Sequence, residues 1–276
     1  MAYRILFTLS AYYSWDIQQW NVKTAFINAP MEDNTEIYII KPTGYEDIDN
    51  PTKVWRLNKA LYGLKQSDRQ WYNYLSLILK ELGFIPLISD QSIFINYTTQ
   101  IIVTSHIDDL LVFSSNSKAI QELEDNLSIK VTITDLGSIS YYLRIEILRD
   151  YSSRTITLQQ SKYLKDILRR FKKENLKSVR IPAILGSKLD TYKDIATSND
   201  INYYQQQIGS LIYLMTTTRP DISYALGDCS RYIGNPGPEY FKALDYIWRY
   251  LLGTQDYKLI YKGNTTLILI GYSDSD

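Results

Sequence analysis

Two adjacent carboxylates, Asp108 and Asp109, stand between the apolar runs Ile101-Ile102-Val103 and Leu110-Leu111-Val112-Phe113. Apolar runs interrupted by a short polar step read as strand, tight turn, strand, with the acids at the tip. Neighbouring carboxylates on a rigid hairpin can hold a hard divalent cation through oxygen ligands. Left unneutralised, they repel each other. Asp is also a common turn former, and such a pair is more often a solvated hairpin tip than a metal site, so the stretch alone does not settle the choice. Other chemistries are narrower still. A single histidine, His106, rules out a His-rich zinc site and is the one candidate base for a His-centred triad. The lone cysteine, Cys229, cannot form an intramolecular disulfide and reads as a core filler in a helix.

The 276 residues suffice for one large or two ordinary domains, and a hydrophobic content of 45% marks a globular chain. Thirty basic residues balance thirty acidic ones, so the net charge does not advertise a nucleic-acid binder. A local basic patch exists at Arg169-Arg170-Phe171-Lys172-Lys173. The high tyrosine content reads as composition bias plus packing. The first nine residues faintly resemble a signal peptide. Their apolar core is short and runs on into amphipathic sequence, so they read as the end of a core helix. No stretch is apolar enough for a membrane span. The expected location is cytoplasmic or nuclear, not secreted, with no membrane partner.

Periodicity places the elements around the acids. Residues 4–14 have helical spacing, and residues 17–28 read as a strand running into a short turn or helix. Residues 36–40 and 54–57 read as short strands. Ser67 or Asp68 can cap a helix with Trp71, Leu75, Ile78, Leu79 and Leu82 inward, ending at Gly83. Strands follow at 92–97 and through the acidic hairpin. A helix opens at Ser117, and further strands lie at 130–134 and 141–148. This order predicts an α+β domain with an antiparallel sheet. Beyond it come a strand at 155–159, a helix over 161–174 and a loop or linker over 178–200. Helices at 203–217 and 221–233 break at Arg219-Pro220. A helix runs from Pro238 to Gly253, and the chain closes with a strand, a Gly263-Asn264 turn and a second strand at 267–273.

Several separated stretches carry a family resemblance. They are QWNVKTAFIN at 19–28, KALYGLKQSDRQWY at 59–72, HIDDLL at 106–111 and DLGSISYYLRIEI at 135–147. GSLIYLMTTTRPDI at 209–222 and YSDSD at 272–276 complete the order. Together they resemble the reverse transcriptase of copia-type LTR retrotransposons, part of a Pol polyprotein, over nearly the whole chain. The resemblance implies a right-hand polymerase: an antiparallel palm, a helical thumb and connection region, and the first strands of an RNase H-like domain. It divides the chain into palm with partial fingers (1–150), primer-grip or thumb strand, helix and linker (151–200), helical thumb or connection (201–262) and a truncated RNase H-like start (263–276). It implies two-metal nucleotidyl transfer with Mg2+ or Mn2+ on an RNA template, a DNA primer and deoxynucleoside triphosphates.

Carried over residue by residue, Asp108 is the principal metal ligand and Asp109 its weaker partner. Phe26 is the gate against a ribose 2′-hydroxyl, and Gly63 lets backbone approach nucleotide and template. Lys65, Gln66 and Arg69 bind substrate, the two cations near phosphates. Without the resemblance, Phe26 is a core residue, Gly63 a turn, and Lys65 and Arg69 solvated charges. Four positions depart from the pattern. The metal-bridging Asp of the first motif is Asn21, a neutral ligand where two cations need negative charge. His106 replaces a Tyr, Asp68 a Pro and Arg144 a Gly, the last where a close backbone approach is expected to be lost. The family's basic fingers segment precedes the helix near Tyr3 and is expected to be missing here, with the rest of the polyprotein. Asp274 matches the first RNase H acid; its partners would lie past residue 276, so no RNase H activity is expected of this chain alone. The expected function is a weak or inactive RNA-directed DNA polymerase domain, or else a non-catalytic nucleic-acid-binding relic.

Overall fold

The computed structural model describes residues 2–31, 35–45, 49–50, 52–184, 189–266, 268 and 270–271. Two compact units divide between residues 139 and 140. The first contains α1 (Ala2–Tyr13), β1 (Asp16–Val22), α2 (Ala25–Asn28), β2 (Tyr38–Ile39), β3 (Trp55–Arg56) and α3 (Ser67–Glu81). It continues with β4 (Ile85–Pro86), β5 (Ile93–Asn96), β6 (Ile101–His106), β7 (Asp109–Ser114), α4 (Ser117–Ser128) and β8 (Ile133–Ser138). Six strands make an antiparallel sheet in the order β4-β5-β6-β7-β1-β8, so the expected α+β class with an antiparallel sheet is what forms.

Strand alternation sorts this sheet into two faces. Trp20, Val22, Leu110 and Val112 point to one face, where Trp71, Leu75 and Leu79 of α3 and Ile120, Leu123 and Leu127 of α4 bury them. Phe113 points to the other, where Phe7 of α1 meets its ring at 6.3 Å. Burial of such large side chains contributes about 1.5–3 kcal/mol each, which makes this sandwich the main source of the unit's stability.

The second unit contains β9 (Tyr141–Tyr142), β10 (Ile145–Asp150), β11 (Thr155–Gln159), α5 (Ser161–Arg170), α6 (Ser198–Thr217), α7 (Ser223–Ser230), α8 (Pro238–Gly253) and β12 (Leu259–Lys262). Its sheet order is β12-β11-β10-β9. Tyr204, Ile208, Leu211, Leu244, Ile247 and Trp248 centre a helical core in which Cys229 is also buried. Burial pushes the Cys229 thiol up to about 11, which fits the packing role read from the sequence.

Several local expectations change. The strands read over 36–40 and 54–57 shrink to two residues each and, among the described residues, pair with one another. Ser67 does not cap α3; its hydroxyl turns back to Leu61 O, and Gln66 occupies the cap without a side-chain bond. The strand read from 130 begins at Ile133, because Lys130 and Val131 still donate to Leu127 O at the end of α4. The helix read over 161–174 stops at Arg170, where Phe171 is the C-cap and Lys172 turns to φ +57°. Helix α6 starts earlier than read, on a Thr197 N-cap: Thr197 Oγ1 accepts from Asp200 N at 3.1 Å and donates to the Asp200 carboxylate at 2.7 Å. The strand read over 267–273 includes Leu267, Leu269, Tyr272 and Ser273, which lie outside the described residues, as does Asp274.

The strand read over 141–148 is a hairpin. Tyr142 pairs with Ile145 across a two-residue loop in which Leu143 has φ +46° and Arg144 φ +60°. Both central residues left-handed is the conformation that selects glycine or asparagine. Arg144 therefore departs from the expected Gly at a position demanding positive φ. A left-handed non-glycine residue costs about 1–2 kcal/mol. Its guanidinium lies 5.7 Å from the Tyr163 ring centre, and an exposed contact of that kind returns about 0.5–1 kcal/mol. Arg144→Gly should thus raise stability by up to about 1 kcal/mol, read as an increase of a few degrees in Tm.

At the Arg219-Pro220 break, the buried Arg219 donates to both carboxylate oxygens of Asp221, at 3.0 and 2.8 Å, and to the Thr254 carbonyl at 2.9 Å. The Tyr250 hydroxyl donates to Asp221 at 2.8 Å. Burial alone raises the Asp221 pKa; hydrogen bonds from Arg219 and Tyr250 outweigh it and hold the carboxyl below its usual range. A depressed carboxylate stabilises the fold above its unfolded pKa, and that contribution disappears as pH falls through the folded value. Arg219→Ala should cost about 1–3 kcal/mol at pH 7, because it removes a buried donor from Asp221 and from the Thr254 carbonyl. Asp221→Asn should unfold more readily than the unmodified protein in urea at pH 7, and the gap should narrow below about pH 4.

Candidate functional site

The acidic pair sits where three local devices meet. The β6–β7 hairpin closes with His106 opposite Asp109, which leaves Ile107 and Asp108 as its two-residue loop. Asp109 is therefore the first residue of β7, and Asp108 alone occupies the tip. Ile107 adopts φ +55°. A β-branched residue in that region is strained by about 1–3 kcal/mol and persists only where its surroundings hold it. Here the Trp71 indole Nε1 donates to Ile107 O at 2.6 Å. That bond also satisfies the one polar atom of an otherwise buried ring. The sequence showed Trp71 only as a core residue of α3; nothing in its spacing disclosed this second role.

Strand β1 delivers the third member. Asn21 is the register partner of Asp109, and Val22 N donates to Asp108 O at 2.7 Å. Asn21 and Asp109 lie on the face opposite Trp20 and Leu110. Directly opposed residues on one face have Cβ atoms roughly 4.5–5.5 Å apart. The structure thus brings Asn21, Asp108 and Asp109 to one end of the β1–β7 pair, all three half-buried. A carboxylate at position 21 would face Asp109 across that gap and repel it. The amide removes the repulsion together with the charge.

The glycine-containing stretch comes to the same side of the unit. Ala60 N donates to Ala29 O at 3.1 Å and Met31 N to Asn58 O at 3.1 Å, which ties the start of the second motif to the end of the first. The Phe26 and Tyr62 rings pack at 4.5 Å. Phe26 is 6% exposed, so only an edge of it is accessible. Gly63 has φ +93°, and a Cβ there would meet nothing within 4 Å. Its glycine is required by backbone conformation, with open space beside it. Lys65, Gln66 and Arg69 are exposed, and none of their side chains has a hydrogen-bond or ion-pair partner among the described residues.

The donor set limits what cation can be held. Two carboxylates and one amide oxygen suit a single hard divalent ion. Two ions sharing a carboxylate from β1 do not fit, because position 21 supplies no charge. Among the described residues no group of three His, Cys, Asp or Glu side chains converges on a common point. No helix among them is long and apolar enough to cross a membrane.

Residues 2–185 match the family described as "Reverse transcriptase (RNA-dependent DNA polymerase)". The chain is 35% identical, over 99% of its length, to the retrovirus-related Pol polyprotein from transposon TNT 1-94 of Nicotiana tabacum, and covers 21% of that protein. It is 36% identical, over 99% of its length, to the Pol polyprotein from transposon RE1 of Arabidopsis thaliana, covering 18% of it. A putative transposon Ty5-1 protein of Saccharomyces cerevisiae is 29% identical over 92% of the chain, which covers 82% of that shorter protein. The chain spans about a fifth of the two plant polyproteins.

Electrostatics link Asp108 to the second motif. Burial, and then the Asp108 charge, raise the Tyr62 phenol above its ordinary value. In Asp108→Asn the Tyr62 titration should move down, whereas Asp109→Asn should leave it in place. Tyrosine ring 13C shifts followed against pH, with Tyr62 assigned by its Phe variant, check this.

Proposed function

The chain belongs to the reverse transcriptase (RNA-dependent DNA polymerase) family, and from that premise we propose that it is the polymerase portion of a copia-type Pol polyprotein whose metal site has lost a charge. The single observation behind the second half of this reading is Asn21 paired with Asp109 in an intact β1–β7 register. Residues 1–150 are then the palm with part of the fingers, 151–200 the primer-grip or thumb strand with its helix and linker, and 201–262 the helical thumb or connection. RNA template, DNA primer and deoxynucleoside triphosphates are the substrates.

The chain's own residues divide the work as follows. Asp108 and Asp109 would hold a divalent cation. Phe26, braced by Tyr62, presents its accessible edge to the sugar and excludes a 2′-hydroxyl by contact. The left-handed Gly63 leaves room for nucleotide and template at the backbone. Exposed Lys65 and Arg69, with Gln66, attract and orient phosphates. A divalent ion held by the two acids would neutralise charge developing on phosphate oxygens. With one carboxylate fewer, stabilisation of that charge falls. Losing one such preorganised group costs enzymes on the order of 10²–10³ in rate.

A second reading follows from the same substitution. With the fold retained and the charge lost, the domain binds a template–primer duplex without extending it, through salt-sensitive phosphate contacts. Primer extension on an RNA template with Mg2+ or Mn2+, comparing the chain with Asn21→Asp, separates the two. We expect the variant to extend at least about a hundredfold faster than the parent. Equal, robust extension by both would overturn the assigned weakness of the site. Duplex binding by both with extension by neither would leave the binding reading in force.

A further inference from the structure

The turn between β9 and β10 is strained at both of its residues. Among the described residues, Leu143 and Arg144 are the only two consecutive non-glycine residues with positive φ. Asn and Gly settle in that conformation with little strain; Leu and Arg do not. A strained turn persists only where its surroundings hold it.

The hold comes from α5 and α6. From α6, the Tyr213 hydroxyl donates to Leu143 O. From α5, the Tyr163 ring takes the Arg144 guanidinium, 5.7 Å from its centre. The two rings meet edge to face at 5.2 Å, and the Tyr163 hydroxyl donates to Ser210 O at 3.1 Å, which ties α5 to α6. A further tie lies beside the turn: Glu146 of β10 accepts from Lys162 N, in the first turn of α5, at 2.9 Å. Each turn residue is thus gripped once, Leu143 through its carbonyl and Arg144 through its side chain. Burial raises both phenol pKa values, so both hydroxyls remain donors at neutral pH.

We propose that Tyr213 is a positioning residue for the β9–β10 hairpin: its hydroxyl holds the Leu143–Arg144 turn in a left-handed form that the turn's own residues disfavour. Arg144 is exposed, so its contact with the Tyr163 ring is the weaker grip. The bond to Leu143 O is directional and half-buried, and it fixes the peptide itself. The resembled motif has Gly at position 144, which needs less holding, so the demand on Tyr213 is a feature of this chain.

The hairpin tip therefore moves with α5 and α6 as one piece. Residues 135–147 are among those that carry the family resemblance, and the effect on activity rests on the polymerase reading. On that reading a loose tip lowers affinity for template–primer and spares the bond-forming step, because the acidic pair is built in the first unit from other strands.

The test is amide hydrogen exchange at Arg144 and Ile145 in four proteins: the parent, Tyr213→Phe, a Leu143→Asn/Arg144→Gly turn, and the three changes together. Phenylalanine keeps the ring against Tyr163 and removes only the donor. Tyr213→Phe should speed exchange at these amides about three- to tenfold, the loss of one hydrogen bond. In the Asn-Gly turn, which is left-handed without help, the same change should matter less than about twofold. Equal acceleration in both backgrounds, acceleration spread evenly over β10, β11 and α6, or no acceleration would each overturn the proposal. Should Tyr213→Phe alone not fold, recovery of a folded protein on adding the Asn-Gly turn supports the assignment, and no recovery overturns it. In the Asn21→Asp background, Tyr213→Phe should raise the KM for template–primer about fivefold and leave kcat within about twofold. A fall in kcat with KM unchanged overturns the link to template–primer. No extension in that background is a failure of the polymerase reading alone, and hydrogen exchange then decides the role of Tyr213.

Discussion

Everything at the acidic end depends on one backbone constraint, the antiparallel register that sets Asn21 opposite Asp109 and lets Val22 N donate to Asp108 O. This pairing uses peptide groups alone. It is indifferent to whether position 21 carries a carboxylate or an amide, so geometry survives a change that alters charge. The hydrophobic alternation of β1 and β7 enforces it, because a slip of one residue would turn Trp20, Val22, Leu110 and Val112 out of the core. The chemistry sits on one face of the strands and the constraint that positions it on the other.

The strain at Ile107 belongs to the same logic. A β-branched residue at φ +55° raises the energy of the folded state, and the Trp71 indole is placed to hold it. Asp108 is therefore positioned by a neighbour that is costly to hold, through a bond from the helix that also buries Leu75 and Leu79. This is preorganisation carried by packing, since no charge on the acids contributes to it. The electrostatic part is separable: two close carboxylates repel, and a cation or a donor must neutralise them. With an amide at position 21 that demand is smaller, and so is the field available to a reaction.

The sequence made the long elements legible because their periodicity was strong. Helix α8 runs from Pro238 to Gly253 as its Pro start and apolar spacing predict. The acidic hairpin and the face of α3 were equally plain. The failures came where local rules are weak or are overridden. A Tyr-, Leu- and Ile-rich run at 141–148 hid a turn with no Gly or Asn at either left-handed position. The polar start of α6 reads as linker, and only the Thr197 cap on Asp200 N turns it into a helix start. Of the site, residue identities and chain order were readable. The Trp71–Ile107 bond and the Asn21–Asp109 register were not, because each depends on atoms brought together from separate elements.

Stability and chemistry therefore draw on different residues. In the second unit, Arg219 is satisfied on every side by Asp221 and Thr254, and Trp248 reaches Gln207 at 2.8 Å. Removing any of these partners leaves a buried polar group unpaired, a penalty of about 1–3 kcal/mol or more. At position 21 no comparable penalty exists: the side chain is half-buried, and an amide there relieves repulsion. A change at that position costs the fold nothing, whereas a change at Arg219 costs the fold first. Substitution at position 21 is thus free of the penalty that holds the Arg219 network in place.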